Sequence, residues 1–134
     1  MGSSSEVAHP LHTSEDIVRA RQLVREWAIR QGFSLVDQTK VVTAASELAR
    51  NTIDYGGGGE MQIEALENRG RRGLRLIFVD EGPGIPDVEL ALRDGYTTGA
   101  GLGLGLGGAK RLVNEFEIES HAGAGTRVSI TRWR

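Results

Sequence analysis

The sequence predicts an α+β fold, an α/β sandwich with helices on one face of a largely antiparallel mixed sheet. Two helical patterns open the chain, two strand pairs lie in its middle and at its end, and a glycine-rich segment separates the pairs. The chain has 134 residues, enough for one hydrophobic core. We therefore expect one domain over residues 13–134, preceded by a flexible tail at residues 1–12.

Two amphipathic helices are predicted first. The earlier one begins near Thr13 or Ser14, where Thr13 and Asp16 have capping-box spacing, and ends near Gly32. Its apolar residues recur at helical spacing: Ile17, Ala20, Val24, Trp27 and Ala28. The second covers residues 36–53 and ends before the glycines at 56–59. Its expected buried face consists of Val41, Val42, Ala45, Leu48, Ala49 and Thr52.

Alternating polar and apolar residues predict the strands. EMQIEAL and LRLIFVD flank the basic turn NRGRRG, which we interpret as a solvated loop. FEIESH and TRVSITRW flank the turn AGAG near the end of the chain. Between the pairs we expect a short helix at residues 88–92 and another that begins inside or just after the glycine stretch 99–108. Helices packed against these strands complete the predicted sandwich.

Composition excludes several classes of protein. A net charge of −2 and an isoelectric point near 5.9 do not indicate a nucleic-acid binder. Without cysteine the chain has neither disulfides nor thiolate metal sites. No apolar run is long enough to span a membrane, and the first residues lack the apolar core of a signal peptide. We expect a cytoplasmic protein with neither nucleic-acid nor membrane partners, and we interpret His9, His12 and His121 as isolated surface residues.

Two short motifs contain candidate catalytic residues. In ELARN, Glu47 and Asn51 are one helical turn apart, and they combine a potential general base with an oxygen ligand suited to Mg²⁺. In VDEGPGIPD, Asp80 ends an apolar strand, while Gly82 and Gly84 allow the backbone to approach a ligand closely. Taken alone, the first motif also fits a solvated helix face and the second a simple turn.

The third motif is GAGLGLGLGG, residues 99–108. It contains the spacing G-x-G-x-x-G, but no convincing strand precedes it, so a dinucleotide-binding fold is not indicated. A Walker A loop is excluded because no glycine–lysine–serine or glycine–lysine–threonine triplet is present. A mobile glycine loop leading into a helix remains, and its backbone amides can bind a phosphate. Lys110 and Arg111 are expected in the first turn of that helix, where phosphate would offset their unfavourable charge.

The three motifs, in this order, resemble the N, G1 and G2 boxes of the GHKL ATPase/kinase superfamily, which uses the Bergerat ATP-binding fold. GAGTRV near the end of the chain is similar to the glycine–threonine pair of the superfamily's last strands. Over nearly the whole chain the sequence resembles RsbT-type switch kinases, with TAASELARNTIDY and DEGPGIPD among the matching segments. The cofactors implied are ATP and Mg²⁺.

The resemblance also implies a role for each site residue. Glu47 is the expected catalytic base for a seryl or threonyl hydroxyl, and Asn51 the expected ligand of Mg²⁺. Asp80 is expected to accept from the adenine amino group. The other expected nucleotide-binding residues are Gly82 and Gly84 at the adenine, Gly101, Gly103 and Gly105 in a lid over the phosphates, and Thr126 on the adenine side. The leucines at 102, 104 and 106 are expected to anchor that lid.

The implied activity is ATP-dependent phosphorylation of a STAS-domain antagonist in a bacterial stress-response partner-switching module. The released kinase then binds a downstream effector, typically a PP2C-type phosphatase. An anti-sigma or effector-binding module that holds nucleotide without using it is the alternative, and a plain ATPase is a third possibility. One departure stands out, because the stretch 99–108 has no basic residue for the terminal phosphate. Lys110 and Arg111 are the candidates to replace it.

Overall fold

The computed structural model describes residues 6–85, 87–92 and 105–134, which form five strands and four helices. The strands are β1 (Glu6–Leu11), β2 (Gly59–Asn68), β3 (Arg71–Asp80), β4 (Glu115–His121) and β5 (Gly125–Trp133). The helices are α1 (Ser14–Arg30), α2 (Leu35–Asp54), α3 (Val88–Ala91) and α4 (Leu106–Arg111). None of these helices combines the length and the apolar character needed to cross a membrane.

The strands form one sheet in the order β1-β2-β3-β5-β4. Each of the four strand pairs within the described residues is antiparallel, so the sheet lacks the parallel component of the mixed sheet expected from the sequence. The helices pack on one face and enclose the core with the apolar side of β2 and β3. The α+β sandwich is therefore confirmed. Its central strand, β3, ends at Asp80, which places that carboxylate between its neighbours β2 and β5.

The two long helices have the predicted extents to within a residue or two. Thr13 caps α1 in a complete capping box with Asp16, as its sequence spacing indicates. Every apolar residue predicted to be buried on the two helices is buried, and Ala44 joins them. The turn between β2 and β3 has positive φ angles of 55° at Arg69 and 82° at Gly70, a combination that suits a tight antiparallel hairpin.

The flexible tail expected at residues 1–12 is wrong for residues 6–11. They form β1, which pairs antiparallel with β2, and Leu11 is fully buried in the core. β1 is an edge strand, where Pro10 is tolerated because no ladder hydrogen bond from its nitrogen is required. His9 Nε2 also donates a hydrogen bond to the backbone carbonyl of Asp16 over 3.1 Å, because a carbonyl oxygen can only accept. This contact joins the strand to α1.

The expected position of Lys110 and Arg111 also needs correction. α4 begins at Leu106, inside the glycine stretch, and has only six residues. The two cations therefore lie in its last turn, where positive charge interacts favourably with the helix dipole. The proposed electrostatic conflict at the helix start does not exist, so it gives no reason to expect a phosphate there.

Candidate functional site

Four segments that are distant in sequence meet at one pocket. It is bounded by the second half of α2, the end of β3, the loop after β3 and the start of β5, and α4 adds one side chain. The residues that line it are Leu48, Asn51, Thr52, Tyr55, Phe78, Asp80, Ile85, Leu106, Thr126 and Val128. Three of the residues predicted from the sequence, Asn51, Asp80 and Thr126, therefore share one pocket.

The face of α2 explains how Asn51 reaches the pocket. Leu48 and Thr52 are buried against the sheet, and the Thr52 hydroxyl donates to the Leu48 carbonyl over 2.9 Å, so it leaves no unpaired polar group. Asn51 lies beside them at the edge of the buried stripe and is half-buried. Glu47, one turn earlier, is half-buried on the same side of the helix. The helix thus holds a carboxylate one turn away from the amide that lines the pocket.

Gly105, the residue before α4, lies against Glu47. A Cβ atom at this position would overlap the Glu47 carboxylate, and the φ angle of +63° would strain any residue with a side chain. The last glycine of the predicted lid is therefore in contact with the predicted base. Leu106 follows it and is 2% exposed, so this leucine packs in the hydrophobic core. Gly101, Gly103 and the leucines at 102 and 104 lie outside the described residues.

Asp80 is half-buried at the end of β3 and faces the pocket. Its Oδ1 accepts from the backbone N–H of Gly82 over 2.9 Å. Burial raises the pKa of the Asp80 carboxyl above its usual value, although hydrogen bonds from the backbone of Gly82 and Thr126 act in the opposite direction. Gly56 leaves space for this carboxyl group, because a Cβ there would overlap it. The carboxylate is thus held by the main chain with acceptor capacity directed toward the pocket.

The loop after β3 is held from two sides. Tyr55, at the end of α2, donates its hydroxyl hydrogen to the Gly84 carbonyl over 2.9 Å. From the turn between β4 and β5, Gly123 N–H donates to the Pro83 carbonyl, also over 2.9 Å. Gly82 packs against the backbone of Gly56, where a side chain would not fit. Gly84 has a φ angle of +80° and lies against the backbone of His121. Both glycines therefore serve close packing of the loop beside the pocket.

Thr126 lies directly across from Asp80 in the β3–β5 ladder and is 9% exposed. Its hydroxyl is 2.9 Å from the hydroxyl of Ser120 on β4. Ser120 also accepts from the backbone N–H of Ile85 over 2.6 Å. One serine thus links the loop after β3 to the threonine of the pocket.

A larger cleft of about 370 Å³ lies elsewhere, on the outer side of α1 and α2. It is an open groove, bounded by residues that include Val18, Arg25 and Ile29, and none of the predicted site residues borders it. The pocket at Asp80 is much smaller, with about 20 Å³ of free volume, which is room for one water molecule. A purine base can enter this pocket only when the pocket walls, which include Ile85 and Leu106, move apart. Although it is small, this pocket contains the predicted site residues Asn51, Asp80 and Thr126.

The donor set of the pocket is compatible with Mg²⁺ carried by a phosphate ligand. The described residues contain no group of three or more histidine, cysteine, aspartate or glutamate side chains arranged to hold a metal on their own. Mg²⁺ retains several waters and takes one or two protein oxygens together with substrate phosphates. Asn51 can provide one such oxygen.

Sequence reasoning missed several residues that build the site. Tyr55 and Ser120 are the most informative, because each joins the loop after β3 to another element. Tyr55 gives no sequence signal beyond its position before the glycines at 56–59. Ser120 does give one, since β4 alternates exposed with half-buried residues and Ser120 occupies a half-buried position in line with Phe116 and Ile118. A polar residue in that row indicates a hydrogen-bonding task inside the fold.

Comparison with known proteins agrees with this geometry. Residues 36–133 match the model of the family described as histidine kinase-, DNA gyrase B-, and HSP90-like ATPases. The serine/threonine-protein kinase RsbT of Bacillus subtilis is 50% identical over 121 residues, covering 90% of this chain and 91% of the relative. An anti-sigma F factor of a Thermoanaerobacter species is 28% identical, covering 92% and 89%.

Among solved structures, the RsbU and RsbW domains of a Mycobacterium tuberculosis protein superpose with a TM-score of 0.63 at 24% identity. The superposition covers 96% of this chain and 33% of that longer one. At this identity the likeness concerns the fold alone.

Proposed function

Because the chain belongs to the histidine kinase-, DNA gyrase B- and HSP90-like ATPase family, we propose that it transfers phosphate from ATP to a STAS-domain protein. Within that family it belongs to the RsbT-type serine/threonine kinases. The proposal rests on the position of two polar residues of α2, Glu47 and Asn51, relative to the pocket. Glu47 lies one helical turn from Asn51, and Asn51 lines the pocket that contains Asp80 and Thr126. A base, a metal ligand and a purine-binding end are thus available on one side of the molecule.

In this proposal Asp80 and Thr126 bind the adenine. The carboxylate already accepts backbone hydrogen bonds and still has lone pairs for the base's amino group. Gly82 and Gly84 keep the loop after β3 close enough to form the adenine wall. Phe78 and Val128 supply apolar surface for the ring.

Glu47 acts as the base in this proposal. Its carboxylate takes the proton of the seryl or threonyl hydroxyl while that oxygen attacks the terminal phosphorus of ATP, and ADP leaves. Asn51 would hold Mg²⁺, and the ion would supply charge neutralisation for the phosphates. The expected lid over the phosphates includes Gly101 and Gly103, which lie outside the described residues, and Gly105, whose contact with Glu47 would bring lid and base together. Phosphoryl transfer depends mainly on positioning and charge neutralisation, so this set is sufficient.

The finer partner assignments belong to the same proposal. The relative named RsbT supports a role in partner switching, in which the acceptor is a STAS-domain antagonist. After release, the chain would bind a downstream effector such as a PP2C-type phosphatase. A nucleotide-holding module without transfer activity remains the second candidate, because the anti-sigma F factors match over a similar share of the chain.

Intact-mass measurement separates the two candidates. A STAS-domain protein from the same genome is incubated with Mg-ATP and either the wild type or Glu47→Ala. The kinase proposal predicts one added phosphate with the wild type, none with the variant, and complex formation with both. A stable complex without phosphate in either sample would favour the nucleotide-holding module and contradict the kinase.

A further inference from the structure

We propose that Ser120 is a positioning residue that makes the base pocket selective for a purine with an amino group at position 6. It does so by taking the hydroxyl hydrogen of Thr126, so that Thr126 presents only acceptor lone pairs to the ligand. The inference rests on the proposed nucleotide binding at Asp80 and Thr126. It adds a residue that has no place in the motifs and does not itself line the pocket.

The starting point is the number of partners around the Ser120 hydroxyl. Ile85 N–H donates to it over 2.6 Å, Thr126 Oγ1 lies 2.9 Å away, and the Gly125 carbonyl lies 3.4 Å away. A serine hydroxyl has one hydrogen and two acceptor positions. The Ile85 contact occupies one acceptor position, because a backbone N–H can only donate.

Two arrangements of the remaining hydrogens are possible. In the first, Ser120 donates to the carbonyl of Gly125 and accepts from the Thr126 hydroxyl, so all three of its hydrogen-bonding positions are used. In the second, Ser120 donates to Thr126. Its second acceptor position then stays unused, and the Gly125 carbonyl receives no hydrogen bond from Ser120. The first arrangement satisfies more polar groups at a half-buried place, which favours it.

The consequence is a pocket edge made of acceptors. Thr126 Oγ1 turns its lone pairs toward the ligand, and the Asp80 carboxylate opposite it is an acceptor as well. A 6-amino group satisfies this edge, directly or through a water, whereas a 6-oxo group places a third acceptor against two others. Sites built around fixed hydrogen-bond polarity reject mismatched ligands strongly, because the mismatch leaves buried polar groups unpaired.

The position of Ser120 on β4 places its hydroxyl between Thr126 and Ile85. β4 places Phe116, Ile118 and Ser120 on its inner side, and the two apolar residues pack against the core. Ser120 is the last of the three, next to the turn that brings β5 back to Thr126. The same hydroxyl fixes Ile85 in the pocket wall. Removing it therefore affects the polarity of Thr126 and the position of the loop, and the test has to distinguish these effects.

The test compares binding of ADP and inosine diphosphate, which carries an oxo group in place of the amino group, by titration calorimetry with Mg²⁺. The wild type is expected to prefer ADP by about tenfold or more. In Ser120→Ala the Thr126 hydrogen is free to turn to a 6-oxo group, so the preference is expected to fall by about three- to tenfold. Ser120→Thr retains a hydroxyl on a strand that accepts a β-branched residue, and it should keep the wild-type preference. Ser129→Ala removes a hydroxyl from β5 at a residue outside the pocket and serves as the matched control.

The outcomes are distinct. An equal weakening of both nucleotides in Ser120→Ala, with the ADP preference unchanged, would show a structural role only and overturn the inference while leaving the proposed function intact. The absence of ADP binding by the folded wild type would overturn both proposals. If Ser120→Ala does not fold, loss of the ADP preference in Ser120→Thr would contradict the inference, and its retention would support it.

Discussion

Tyr55 donates a hydrogen bond of 2.9 Å to the carbonyl of Gly84, and this bond joins the end of α2 to the loop after β3. Both partners border the base pocket or its wall. The bond therefore sets the distance between the helix that bears Asn51 and the loop that begins beside Asp80.

Tyr55→Phe removes only the hydroxyl. We expect ADP affinity to fall by about two- to tenfold, because the loss of one neutral hydrogen bond costs about 0.5–1.5 kcal/mol and loosens the loop. Titration calorimetry measures the affinity, and thermal unfolding measures any loss of stability. An unchanged ADP affinity would show that the loop keeps its position without this bond.

Gly105→Ala should impair phosphate transfer more than it impairs folding. The new methyl group would meet the Glu47 carboxylate and would sit on a backbone with a φ angle of +63°. The backbone conformation alone costs about 1–2 kcal/mol. Gly123→Ala is the matched control, because Gly123 has a φ angle of +75° and open space around its Cβ position. Equal transfer rates in the two variants would contradict a functional contact between Gly105 and Glu47.

Asp80→Asn replaces a carboxylate by an amide of the same shape. Whichever way the amide turns, its NH₂ faces either backbone donors or the ligand's amino group, so ADP affinity is expected to fall by about 10- to 100-fold. Asp54→Asn, at an exposed carboxyl near the end of α2, is the control and should bind ADP like the wild type. An Asp80→Asn protein that binds ADP normally would refute the assignment of Asp80 to the base.

The pKa of Asp80 has a consequence for stability. Burial raises the pKa of this carboxyl in the folded protein above its value in the unfolded chain, so the folded state binds the proton more tightly. As pH rises through the range between the unfolded and the folded pKa of Asp80, ionisation of this carboxyl therefore lowers the stability of the folded state. ADP binding should weaken as pH falls through the same window, because the protonated carboxyl loses acceptor capacity. Calorimetric titrations at stepwise lower pH measure this dependence.

Arg132 on β5 makes a second interaction that can be tested. It pairs with Asp37 in the first turn of α2 over 2.6 Å and donates to the Leu112 carbonyl after α4 over 3.0 Å. Arg132→Met is expected to lower the free energy of unfolding by about 1–3 kcal/mol, because charged hydrogen bonds are lost at a half-buried place. Arg75→Met breaks a longer and more exposed pair of 3.5 Å with Glu64 and should cost less, about 0–1 kcal/mol.

The pair of Arg132 and Asp37 predicts that the stability of the fold depends on pH in the acid range. The hydrogen bond from Arg132 is the main reason that the pKa of Asp37 lies below its usual value of 3.8. Since the folded pKa is the lower one, the pair's contribution to stability is complete above about pH 4 and is lost as pH falls through the folded pKa. Chemical unfolding from pH 5 downward should show a smaller loss in Arg132→Met than in the wild type. An equal loss in both would contradict this coupling.

Much of the fold follows from local patterns in the sequence. α1 and α2 were predictable because their apolar residues repeat at helical spacing and Thr13 provides a cap. β1 was not, because its six residues contain Pro10 and become a strand only by pairing with β2, more than 40 residues later. α4 begins inside the glycine stretch, as expected, but its end at Arg111 was not predicted, so Lys110 and Arg111 were wrongly assigned to its first turn.

The site shows the same division. Asn51, Asp80 and Thr126 belong to motifs and could be found, and the structure brings them to one pocket. Tyr55 and Ser120 act through hydrogen bonds to residues 29 and 35 positions away, at Gly84 and Ile85. No local pattern specifies a partner at that distance, so only the folded arrangement of α2, β4 and the loop identifies them.

Glu47 is the proposed catalytic base, and Glu47→Gln tests this role when nucleotide binding and phosphate transfer are measured on one preparation. The rate of phosphate transfer from Mg-ATP to the STAS-domain protein is followed by intact mass, and ADP affinity is measured beside it, with Asp54→Asn as the control on the same helix. We expect a transfer rate lower by about 10²- to 10⁴-fold, the usual contribution of a general base, with ADP affinity close to that of the wild type. A variant that transfers phosphate at the wild-type rate would contradict the role of Glu47 and leave α2 without a catalytic base.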